Sequence, residues 1–84
     1  LFKDFVQYDE NHYLTYINSS DTELKQKYKL QDITWDLLLI YDTQTKKTTY
    51  KQNISVKISK LTFEEKYLYL YDENDNRYQI ENIE

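Results

Sequence analysis

Along residues 53–61 apolar and polar positions alternate strictly, with Ile54, Val56 and Ile58 set against Ser55, Lys57 and Ser59. Successive side chains of a strand point to opposite faces, so this period of two predicts a strand with one wet face. Residues 67–71 alternate differently: Leu68 and Leu70 share one face, and Tyr67, Tyr69 and Tyr71 share the other. Both faces are apolar-capable, which places this strand in the middle of a sheet. Residues 35–41 have the same character, with Trp35, Leu37, Leu39 and Tyr41 opposite Asp36, Leu38 and Ile40. The Thr-rich return at Thr48, Thr49 and Tyr50 makes 42–47 a hairpin connection with Lys46 and Lys47 at its tip. Residues 2–8, 12–18 and 77–83 complete six or seven strands.

Residues 20–30 support two readings. Ser20, Asp21, Thr22 and Glu23 fit a capping box, and Leu24 with Tyr28 forms an i, i+4 apolar pair. Leu24, Tyr28 and Leu30 also fit a strand period, and the heavy β content on either side favours a strand, or a short helical turn entering one. Punctuation elsewhere falls to Asn, Asp, Ser and Thr, which make turns through their own side-chain hydrogen bonds. The expected fold is therefore all-β: one small domain over residues 1–84, a curved antiparallel meander of about six or seven strands or a small open barrel, with at most one short helical turn.

Composition narrows the chemistry. The 84 residues include ten Tyr but no Gly, Pro, Cys or Met. Without Gly there is no loop to close around a phosphate, and without Cys there is no disulfide, thiolate nucleophile or Cys-based zinc site. The longest apolar run, residues 37–41, is far short of the ~20 residues that span a bilayer. Eleven basic and fifteen acidic side chains give a formal charge of −4, which disfavours phosphate-backbone binding and favours a cationic partner. A start at Leu1 rather than Met fits an expressed domain or a mature form whose signal segment has been removed.

Few constellations could carry a reaction. Asp72, Asn74 and Asn76 place oxygens at positions 1, 3 and 5 of a calcium-loop pattern, but position 6 is Arg77 where Gly is needed and position 12 is Ile83 where a bidentate Glu is needed. A polar hairpin turn accounts for the segment. His12, the single histidine, reads as a side chain at the start of a strand. The acidic pairs Asp9/Glu10, Glu64/Glu65 and Glu81/Glu84 read as solvated charge. Two N-x-[ST] sequons, at Asn18 and Asn53, are what so much Asn, Ser and Thr produces by chance. Neither an enzyme nor a cofactor or metal site is expected.

The tyrosines are the candidate binding feature. Tyr67, Tyr69 and Tyr71 form a stripe that either covers the sheet or faces a ligand, since Tyr is a favoured strand residue and also offers its ring face to cations. With the neighbouring carboxylates Glu64, Glu65 and Asp72 they make the candidate site: rings for the apolar part of a ligand, carboxylates for its cationic groups.

Part of the chain also resembles a known family. The run Asp36-Leu37-Leu38-Leu39-Ile40-Tyr41-Asp42, the return Thr45-Lys46-Lys47, the strand Ile54-Ser55-Val56 and the opening Asn76-Arg77-Tyr78 are similar to one β domain of the lantibiotic immunity lipoproteins of Gram-positive producers, the nisin and subtilin type. The resemblance implies a non-enzymatic, extracytoplasmic protein at the cell surface that intercepts a cationic peptide, held near the membrane by a lipidated N-terminus. That anchor is not among these Cys-free residues. Two other classes fit the composition: an acidic phage or mobile-element inhibitor blocking a basic enzyme groove, and a structural interaction domain of a surface or virion assembly.

Overall fold

Backbone ladders gather seven strands into two antiparallel sheets in a computed structural model that describes residues 4–30 and 32–81. One sheet holds β1 (Val6–Gln7), β2 (His12–Ile17), β3 (Asp36–Asp42) and β4 (Lys47–Ile54) in that order. The other holds β5 (Lys60–Glu64), β6 (Tyr67–Tyr71) and β7 (Arg77–Ile80). Each sheet is a meander and no barrel closes. Phe2, Ile83 and Glu84, at the outer ends of expected segments, lie outside the described residues.

The two sheets pack through the faces that alternation assigned. Leu14 pairs with Ile40 and Tyr16 with Leu38 across the β2–β3 ladder, and these four meet Leu61, Leu68 and Leu70 of the second sheet. Burying a Leu or Ile side chain contributes about 1.5–3 kcal/mol, so this layer is the main source of cohesion. The opposite face of the four-stranded sheet is also covered, because Ile17, Leu37 and Leu39 pack against Leu24 with Leu30 and Ile33 beside it. That is why β3 carries an unbroken apolar run: it is buried on both sides. β3 and β6 are interior strands, as their two-faced patterns predict, and β2 is interior as well.

The segment after β2 corrects the preference for a strand. Residues Thr22–Lys27 form a helix, α1, whose cap is Asp21 rather than Ser20. The Asp21 carboxylate accepts the Leu24 amide at 3.1 Å, and a negative charge suits the positive end of a helix. At the other end the Lys29 amide reaches the Gln26 carbonyl and the Leu30 amide reaches the Lys25 carbonyl, with Lys29 at φ 58°. This is a Schellman stop with Lys at the position Gly usually fills. Burial of Leu24 under the sheet decides the outcome, while Tyr28, its supposed i, i+4 partner, stays largely exposed.

The alternating segment 53–61 is the second correction. It is not one strand: β4 ends at Ile54, residues 55–59 cross from one sheet to the other, and β5 begins at Lys60. Ile54, Val56 and Ile58 do share the inter-sheet core, so the pattern reported sidedness faithfully. Pairing is lost because the backbone finds other partners. The Ile58 amide donates to Asp36 Oδ2 at 2.7 Å, Asn18 Nδ2 donates to the Ile58 carbonyl at 2.9 Å, and the Ser59 amide donates to the Tyr71 carbonyl at 2.8 Å. The Tyr16 hydroxyl closes the knot on the Ser59 carbonyl at 2.9 Å. A second tie runs from the Leu61 amide to Asp4 Oδ2 at 3.0 Å, joining β5 to the chain just before β1.

Candidate binding face

Register rather than sequence proximity builds the outer face of the three-stranded sheet. Across the β5–β6 ladder Lys60, Thr62 and Glu64 stand opposite Tyr71, Tyr69 and Tyr67; across β6–β7 Tyr69 and Tyr71 stand opposite Gln79 and Arg77. Leu68 and Leu70 point the other way, into the core. Two basic side chains lie on the rings. Lys60 Nζ is 4.4 Å from the Tyr71 ring centroid, and the Arg77 guanidinium carbon is 4.4 Å from that of Tyr69. Tyr67, the third ring, is 53% exposed, whereas Tyr69 and Tyr71 are half-buried.

The three candidate carboxylates have different situations. Glu64 lies along the face, its Oε2 accepting the Thr62 hydroxyl at 2.8 Å and the Tyr71 hydroxyl at 3.3 Å. Glu65 sits in the two-residue β5–β6 turn with Lys66, at φ 51° and 77°. Both residues are left-handed, the geometry of a type I′ hairpin that Asn-Gly would normally supply. Asp72 is buried and committed to its own turn. Its Oδ1 accepts the amides of Asn74 and Asn76 at 2.8 and 3.0 Å, and its Oδ2 accepts Asn76 Nδ2 at 3.0 Å and the Tyr78 hydroxyl at 3.1 Å. The Asn76 side-chain donor, followed by these amides and the Tyr78 hydroxyl, holds the Asp72 carboxyl below the usual carboxylate range. The Tyr78 hydroxyl is raised in turn, chiefly by its bond to Asp72. Asp72 therefore shapes the hairpin that carries Tyr71 and Arg77, and the calcium-like spacing is that hairpin turn. No cluster of three or more metal-ligating side chains occurs among the described residues.

Three features escaped sequence reading. His12 lies between two turns, its Nδ1 2.9 Å from Asp9 Oδ1 and its Nε2 3.3 Å from Asp42 Oδ2, with the Tyr8 ring stacked on it at 5.8 Å. Burial, with Asp9 and Asp42 adding their charge, pushes the Tyr8 hydroxyl up to about 12. Only the β2–β3 ladder, which sets His12 opposite Asp42, brings these groups together. A cleft of about 450 Å³ opens between β4 and β7, with Leu38, Ile54, Leu70 and Tyr78 among its lining. Trp35, expected on a strand face with Leu37, instead precedes β3 and is 53% exposed.

No protein-family model, curated protein or solved structure matches the chain.

Proposed function

We propose that the chain is a non-enzymatic binding module that captures a cationic peptide at the cell surface, with the outer face of the three-stranded sheet as its seat. The observation that carries this reading is the pair of cations already resting on Tyr69 and Tyr71 at 4.4 Å, beside a third ring of the same row that is 53% exposed. A ring quadrupole attracts ammonium and guanidinium groups, and with Lys60 and Arg77 occupying two rings of the row, Tyr67 is the ring left for a ligand's cation. Tyr67 offers the next position, with Glu64 opposite it in the ladder and Glu65 two residues before it in the turn. The formal charge of −4 adds long-range attraction.

Magnitudes limit what one such contact does. An exposed cation–π contact contributes about 0.5–1 kcal/mol and an exposed ion pair about 0.2–1 kcal/mol, so one Lys on Tyr67 and Glu64 gives roughly tenfold in affinity. Useful capture needs several cations and an apolar surface on the same ligand. A cationic amphipathic peptide meets that requirement, and the resemblance to lantibiotic immunity lipoproteins supports the same class.

Titration with the lantibiotic nisin, followed by tyrosine and Trp35 fluorescence at low and high salt, tests the reading. Saturable binding that weakens with salt and is lost in the Tyr67→Ala/Glu65→Lys variant is expected. Absence of saturation, or binding unchanged in a folded double variant, overturns it.

A further inference from the structure

A second site lies away from the tyrosine face. Where the end of β2, the approach to β3 and the 55–59 crossing meet, a depression of about 260 Å³ is lined by Ser19, Ser20, Thr34, Trp35, Ser55 and Lys57, together with Val56 and Asp36. Trp35 is the chain's single tryptophan and is 53% exposed at this wall. Large apolar rings are normally withdrawn from water, and Trp at a surface is a common anchor for a partner.

The polar lining is unspent. Among the described residues no hydrogen bond engages the hydroxyls of Ser19, Ser20, Thr34 or Ser55, although each can donate one and accept two. The floor, by contrast, is fixed. Asp36 accepts the Ser19 amide on Oδ1 at 2.8 Å, and Asn18 Nδ2 and the Ile58 amide on Oδ2 at 2.6 and 2.7 Å. Those bonds lock the three chain segments that present the hydroxyls, so the site is held in shape before any ligand arrives. Lys57 is neutralised by Glu73 at 2.9 Å, its ammonium held above the ordinary lysine range first by that bond and then by the carboxylate charge. The depression therefore has no net preference for an anion.

We infer that this depression binds a neutral saccharide, one sugar ring stacking its C–H face on Trp35 while its hydroxyls exchange hydrogen bonds with Ser19, Ser20, Thr34 and Ser55. An indole face with a ring of uncommitted hydroxyls matches a ligand that is apolar on its faces and polyhydroxylated at its rim. Asp36 is the single carboxylate in the lining, whereas glycoside cleavage usually calls for a pair flanking the bond. The site binds and does not hydrolyse.

The test is titration with maltotriose, xylotriose and tri-N-acetylchitotriose up to about 10 mM, tenfold above a millimolar Kd. Trp35 fluorescence and ¹H–¹⁵N NMR are the readouts. The expected result is saturable movement of the Trp35 indole N–H and the Ser19, Ser20 and Ser55 amides with at least one sugar. Trp35→Ala should weaken binding about tenfold or more and Trp35→Phe less, given what aromatic stacking contributes. Both variants alter an exposed side chain, and their NMR spectra report whether the fold is kept. The inference is overturned if none of the three sugars produces saturable shifts, or if the shifts persist unchanged in Trp35→Ala. Because the peptide reading is decided by the Tyr67→Ala/Glu65→Lys variant and the sugar reading by Trp35→Ala, the two fail independently.

Discussion

Asp36→Ala is the substitution that interrogates the fold most directly. Asp36 is 4% exposed and accepts three hydrogen bonds of 2.6–2.8 Å from Asn18, Ser19 and Ile58. Truncation does not orphan all three donors equally. Asn18 Nδ2 keeps the Ile58 carbonyl at 2.9 Å, and the Ser19 amide borders the Trp35 depression, where water can reach it. The Ile58 amide has no such relief, because Ile58 is 1% exposed. A buried donor left without a partner costs about 1–3 kcal/mol, and a hydrogen bond to a charged group is worth about 1.5–3 kcal/mol, so the combined loss is roughly 3–5 kcal/mol. At about 0.05–0.15 kcal/mol per residue, a domain of this size has a total stability of roughly 4–12 kcal/mol, so the variant is at or near the unfolding threshold. Asp36→Asn keeps one acceptor oxygen and should lose less, about 1–3 kcal/mol. Urea denaturation followed by far-UV circular dichroism measures the difference, and hydrogen exchange at the Ile58 amide localises it. A loss below about 1 kcal/mol for Asp36→Ala, or an Ile58 amide as protected as in the parent, would refute the view that this carboxylate pins the crossing between the sheets.

Lys66→Gly, at φ 77° in the β5–β6 turn, should raise stability by about 0.5–1 kcal/mol, since relief of left-handed strain exceeds the added unfolded-state entropy; a urea midpoint that falls instead contradicts this. Asp72 contributes stability that is fully present above the unfolded carboxyl value of about 3.9 and is lost as pH falls through its lower folded value. Urea midpoints measured from pH 5 to pH 2 should therefore drop more steeply in the parent than in Asp72→Asn, and parallel profiles would count against that role.

The legible and illegible parts of this chain divide on one physical line. Strict alternation in 67–71 and two-faced apolarity in 35–41 fixed two interior strands and the side to which Leu68, Leu70, Leu38 and Ile40 turn, because the direction of a side chain is set by its own backbone. The Tyr67, Tyr69 and Tyr71 row was readable for the same reason, and the D-x-N-x-N run announced its Asx turn. What the row touches was not readable. Lys60 and Arg77 reach Tyr71 and Tyr69 only through ladder register, which depends on segments that close on one another after the chain has folded. The same limit hid the break in 53–61, where Ile54, Val56 and Ile58 keep their side while Asp36, far back in sequence, takes the Ile58 amide out of the ladder. Helix α1 was a near-even local choice that burial of Leu24 under Ile17 and Leu37 decided. Local pattern by itself determined the β class and the sidedness of the strands. Long-range contacts alone decided which polar groups meet, because a hydrogen bond between distant segments leaves no period in the sequence.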